Sequence, residues 1–149
     1  MKRKLVLPVL AALTVLIAAC SPATSADSTA PSANESPART DTQGAVVFVV
    51  TPLDLAAPGE TFDFDVSMNT HSVDLSWNLA AQSVLRADTG LEVAGQSWPV
   101  GNGHHYQGTL AFPAKTAEGK SLLAGAKKLT LTIRDTDVSE RVFEWELTP

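Results

Sequence analysis

Cysteine is nearly absent from this 149-residue chain: there is one, beside one tyrosine and two methionines. A lone thiol closes no disulfide within the chain, so stability has to come from an apolar core. Positive charge is also scarce, at 11 Lys and Arg against 16 Asp and Glu. No apolar run reaches the roughly 20 residues that a membrane-spanning helix needs. No Gly-x-Ser-x-Gly elbow is present, and nothing else nominates a nucleophile with its base. Long 3.6-residue periodicity is missing as well, which excludes a helical bundle.

The N-terminus is rich in what the rest lacks. Lys2-Arg3-Lys4 forms a basic head, Leu5 to Ala19 is apolar, and Ile17-Ala18-Ala19-Cys20 precedes a polar stretch. A basic region, a short apolar region and small residues before a cut are export features. The segment resembles a bacterial lipoprotein signal, in which the cysteine after an aliphatic and two small residues is lipidated. The resemblance implies removal of residues 1–19 and anchoring of the chain to a lipid bilayer through acylated Cys20. Palmitate-type chains on that residue, two or more in number, give stable anchoring where one gives marginal binding. The implied location is the extracytoplasmic face of the cell envelope. Ser21 after the cysteine would favour the outer membrane if the envelope has two.

Three of the bases, Lys2, Arg3 and Lys4, lie in that leader. The remainder carries 8 bases against 16 acids, a net charge of −8. Such a surface excludes nucleic acid as a partner, since phosphate contacts need clustered Lys and Arg. It also disfavours a protein face lying on anionic headgroups. With Cys20 acylated, neither a thiolate nucleophile nor a cysteine metal site remains.

Ser21 to Thr42 holds Ser, Thr, Ala, Pro, Asp, Asn and Glu without a large apolar residue. That composition cannot offset its ordering entropy. Residues 20–43 are expected to be the lipidated cysteine and a disordered tether, with a reach on the order of 25 Å. Residues 44–149 are expected to form one domain, large enough for a single core.

Within that domain the period is two. Val46–Val50 is a continuous β-branched and aromatic run. Phe62, Phe64, Val66 and Met68 alternate with Asp63, Asp65, Ser67 and Asn69. Val73, Leu75 and Trp77 alternate with Asp74, Ser76 and Asn78. Ser83–Ala87 and Leu91–Ala94 flank a turn at Asp88-Thr89-Gly90. Tyr106–Phe112, Leu129–Ile133 and Val142–Leu147 complete the set. Leu79–Leu85 and Leu122–Lys127 suit a helical turn or two. Short strands with frequent turns predict an all-β fold, an immunoglobulin-like antiparallel β-sandwich of seven or eight strands. A small barrel is the alternative.

The chemistry-bearing residues gather at two places. Met68-Asn69-Thr70-His71 ends one strand, and a glycine-rich loop ending in Gly103-His104-His105 leads into another. Neutral imidazole is the commonest metal ligand. His71, His104 and His105, with Met68 or Asp65, would suit copper or zinc, the thioether favouring Cu(I) and the carboxylate zinc. Adjacent strand residues face opposite ways, which sets His104 against His105. Whether the two places share a pole depends on strand order, which the residues leave open. Asp135-Thr136-Asp137 with Glu140 offers carboxylates in a turn but lacks the length and glycine of a calcium loop.

The segments Thr70–Leu75, Gly103–His105 and Gly108–Pro113 resemble those of small extracytoplasmic bacterial sandwich domains. The resemblance implies the immunoglobulin-like fold and the extracytoplasmic setting. The reading is a non-enzymatic, membrane-tethered binding lipoprotein whose loops meet an unidentified protein or small ligand. The alternative is a copper- or zinc-binding lipoprotein using the three histidines.

Overall fold

A computed structural model of the chain describes residues 37–147. The export signal, Cys20 and most of the expected tether lie outside the described residues. Among the described residues, no helix is long and apolar enough to cross a membrane.

The expected all-β sandwich is what forms. Eight strands pair antiparallel throughout: β1 (Arg39–Asp41), β2 (Val46–Pro52), β3 (Thr61–Thr70), β4 (Ser83–Ala87), β5 (Glu92–Ala94), β6 (His105–Pro113), β7 (Lys128–Thr136) and β8 (Val138–Glu146). One helical turn, α1 (Leu79–Gln82), precedes β4. One sheet has the order β1-β2-β3-β6, the other β5-β4-β7-β8.

Alternation in sequence becomes alternation in burial. On β3, Phe62, Phe64, Val66 and Met68 face the core, while Asp63, Asp65, Ser67 and Asn69 face outward. On β7, Leu129, Leu131 and Ile133 meet them from the other sheet, with Phe143 and Trp145 of β8. Phe64 sits at the centre, edge-on to Phe112 at 5.7 Å and tilted against Trp145 at 5.2 Å. Such pairs add about 0.5–1.5 kcal/mol each beyond area burial.

Several expected elements change. Val73–Asn78 alternates like a strand but is an irregular crossover between the sheets. Its Leu75 plugs the core, Trp77 stacks on Phe48 at 6.4 Å, and the Leu75 N–H bonds Gly103 O rather than a ladder partner. The ordered body also begins before Gly44. Arg39–Asp41, expected within the tether, pairs with Val50–Phe48 as edge strand β1. The number of strands agrees with the expectation, while their membership differs. Leu122–Lys127 forms turns rather than helix, and Leu79–Leu85 is one helical turn followed by β4.

Strand β1 is held by a buried cation. Arg141 of β8 faces inward in register with Phe143 and Trp145 and is 0% exposed. Its Nη1 donates to Asp41, its Nη2 donates to Gln43 O (2.9 Å) and Thr136 O (3.3 Å), and its Cζ lies 4.4 Å from the Phe48 ring centroid. Asp41 is in turn bonded by the Gln43 backbone and side-chain nitrogens, at 3.0 and 2.6 Å. Further along the same edge, Arg39 Nε donates to Glu144 O and Trp145 Nε1 donates to Pro37 O. These bonds join the sheets where β1 and β8 face each other.

Removing one partner of a buried pair leaves an uncompensated charge, which costs about 3–5 kcal/mol. The Asp41 side chain is 12% exposed, so Asp41→Ala is expected to lose about 3 kcal/mol in urea unfolding. Asp41→Leu combined with Arg141→Met should recover most of it. Burial pushes the Asp41 carboxyl up, but the Gln43 donors and the Arg141 guanidinium outweigh this and hold it below its ordinary value. A depressed folded-state pKa stabilises above the unfolded value of about 3.9 and loses that contribution as pH falls further. Unfolding midpoints between about pH 5 and 2 should therefore fall less steeply for the double variant than for the natural chain.

Candidate functional site: the histidine pole

Strand direction decides which residues meet. Strand β3 ends at Thr70 and its antiparallel neighbour β6 begins at His105, with Asn69 paired to His105. The intervening chain visits the other sheet and returns, so the two histidine-bearing segments share one pole. The same pole carries the β1–β2 turn at Gln43-Gly44 and the β7–β8 turn at Asp135–Asp137.

Backbone bonds fix the two segments together. Thr70 Oγ1 donates to Ala45 O at 2.8 Å and accepts from Ser72 N at 3.2 Å, so the chain bends at His71. Thr70 N–H donates to His104 O at 2.9 Å. Gly103 N–H donates to Asp74 Oδ1 at 3.0 Å. Gly103 has φ +95°, a conformation that side chains oppose.

The loop before β6 is anchored from below. Trp98 is buried and lies edge-on to Tyr106 at 5.7 Å. Gly108, on the inward face of β6, leaves room for it: a Cβ there would meet Pro99 Cγ at 2.8 Å and the Trp98 ring at 3.3 Å. Tyr106 OH donates to Pro99 O, and Gly101 lies flat against the Tyr106 ring. Trp98 is thus a packing plug beneath the loop, while Val100 at its tip is 54% exposed.

The expected ligand set separates. Met68 is fully buried in the core, on the opposite face of β3 from Asn69, and offers no thioether to the surface. Asp65 faces outward, but four residues from Asn69 on the same strand, about 13 Å away at strand rise. Its two oxygens accept from Gln107 Nε2 at 2.9 and 2.8 Å. His71, His104 and His105 are exposed at the pole. The His71 and His105 rings approach to 6.3 Å between centroids at 85°. His104 contributes its carbonyl to Thr70. Among the described residues, no three His, Cys, Asp or Glu side chains gather closely enough to hold a metal ion.

Asn69 is the residue that sequence reasoning passed over. Its Nδ2 donates to Ser67 Oγ at 3.2 Å, which turns Oδ1 toward His105 Nδ1 at 2.8 Å. An oxygen can only accept, so Nδ1–H is the donor in this contact, and in the neutral ring the lone pair then sits on Nε2. In sequence Asn69 was one polar residue on a polar face; only its pairing with His105 distinguishes it. The turn carboxylates are structural. Asp137 Oδ2 accepts from Ala45 N–H at 2.6 Å, and Asp135 and Asp137 take φ values of 56° and 67° that close the hairpin.

Comparison of the chain with family models, with curated proteins and with solved structures finds no match.

Gly101→Ala would drive a methyl group into the Tyr106 ring. It is expected to cost about 1–3 kcal/mol in urea unfolding, as overpacking does. Gly59→Ala, with open space around it, should stay within about 0.5 kcal/mol of the natural chain.

Proposed function

We propose that this chain is a membrane-tethered extracytoplasmic binding lipoprotein, without catalytic activity, that presents its histidine pole to a protein or small ligand. The carrying observation is the direction of β1. Arg39 pairs with Val50 and Asp41 with Phe48, and Val50 lies opposite Val66, so the chain enters level with the middle of β3 and runs toward Thr70 and the histidines. Acylated Cys20 lies upstream of that entry. A lipid anchor upstream of it would leave the histidine pole facing away from the membrane, about 13 Å beyond Arg39 at strand rise.

Charge supports the same reading. The mature body, at net −8, is repelled by anionic headgroups and stands off the surface. Its partner is expected to be neutral or basic, and nucleic acid is disfavoured. The absence of catalysis is proposed on the sequence, where no nucleophile and base can be paired.

The test uses the acylated chain in vesicles. Cys20→Ser is expected to abolish acyl labelling and move the chain from the membrane to the soluble fraction. With Cys20 capped by lipid, an introduced cysteine is the only free thiol. A dye on Val100→Cys should transfer less energy to a bilayer acceptor than one on Leu53→Cys, in the loop at the opposite end. Equal transfer, or retention of Cys20→Ser in the membrane, would overturn the reading.

A further inference from the structure

Two imidazoles bound to one metal place their ring centroids about 4.5–6.5 Å apart, given metal–nitrogen bonds of about 2.0–2.1 Å. His71 and His105 stand at 6.3 Å, within that range. Both are exposed, so small rotamer changes close the remaining gap without disturbing the core. Their backbones are fixed by the Thr70–His104 bond and the Asn69–His105 register.

His105 is also prepared in a way that a loop histidine of no role is not. The relay from Ser67 Oγ through the Asn69 amide takes a hydrogen bond from Nδ1–H and orients the ring, so that in the neutral tautomer the Nε2 lone pair is the one available to a metal. Metal-ligating histidines characteristically give their second N–H to such an oxygen, which fixes tautomer and raises basicity.

We propose that His71 and His105 form a two-imidazole site for a divalent transition metal, copper(II) before zinc(II), with Asn69 as the positioning residue for His105. Imidazole donors suit both ions, and copper(II) binds a given nitrogen site more tightly than zinc. Copper(I) is disfavoured because Met68, the thioether near the site in sequence, is in the core. Since no third His, Cys, Asp or Glu completes a cage among the described residues, the ion keeps open positions for water or for a donor from an incoming ligand. That makes the site one of exchange rather than a structural clamp. The inference deepens the binding reading and rests on it for its biological role, but metal affinity itself does not depend on the anchor.

The experiment is a competitive copper(II) titration of the full chain in detergent, carrying Cys20→Ser so that no thiol competes. Expected results are at least a tenfold loss of affinity for His71→Ala and for His105→Ala, and at least a hundredfold loss for the pair. His104→Ala should stay within threefold. Asn69→Ala should lose about tenfold with an unchanged unfolding midpoint, and Asn69→Asp, which keeps an acceptor oxygen, should restore it. Electron paramagnetic resonance of the bound ion should show coupling to two nitrogens, reduced to one in either single variant. Affinity no tighter than that of the double variant, or a His104→Ala loss equal to that of His71→Ala, would overturn the site and leave only loose loop histidines. Because Cys20 is substituted throughout, failure here leaves the vesicle result untouched, and the reverse holds too.

Discussion

A guanidinium sealed away from water is the constraint around which this sandwich closes. Arg141 enters the core face of β8 among Phe143 and Trp145, where a lone cation would be very costly. It is tolerated because four groups converge on it: the Asp41 carboxylate, the carbonyls of Gln43 and Thr136, and the face of Phe48. Those groups come from β1, the β1–β2 turn, the end of β7 and β2. Neutralising one charge therefore sets the position of four segments in both sheets. Burying an ion pair is weak evidence for net stability; what this one does is tie β8 to β1, β2 and the end of β7.

The two open sides of the sandwich are closed by different chemistry. Between β1 and β8 the joint is polar, made of Arg141, Arg39 and the Trp145 indole N–H. Between β5 and β6 apolar packing joins a backbone bridge: Ser97 bonds to Ala111, and Trp98 fills the space left by Gly108. The apolar side holds up the loop that precedes the histidines. The polar side ties down the strand through which the chain arrives. The entering strand and the histidine pole thereby each have their own fastening.

The strands that could be read from the residues were those whose two faces differ. Phe62–Asn69 and Leu129–Ile133 announce themselves because one face is apolar and the other polar. Val73–Trp77 alternates equally well, yet its apolar residues serve a crossover: Leu75 caps the core and Trp77 covers Phe48. Period two records which side chains are buried, not where the backbone bonds go. Strand β1 was invisible for the opposite reason, since Arg39-Thr40-Asp41 has no apolar residue and is recruited by a cation 100 positions away. Met68 was legible as a core residue from its alternation with Phe62, Phe64 and Val66. Its sulfur drew it into a ligand set that its register contradicts. The pairing of His71 with His105 depends on β3 and β6 being neighbours, and that is settled by sheet order, which local sequence does not encode.

The direction of β1 also decides how the domain would carry load. Ladder bonds in an antiparallel pair lie perpendicular to the strands. A pull on the chain ahead of Pro37, directed away from the histidine pole, runs along the axis of β1. The β1–β2 ladder, the Trp145–Pro37 bond and the Arg141–Asp41 pair are then sheared together rather than opened one after another. A domain leashed this way meets tension at its polar joint with every bond engaged at once. Under the proposed anchoring, drag on a partner held at the histidine pole would reach the membrane through that joint.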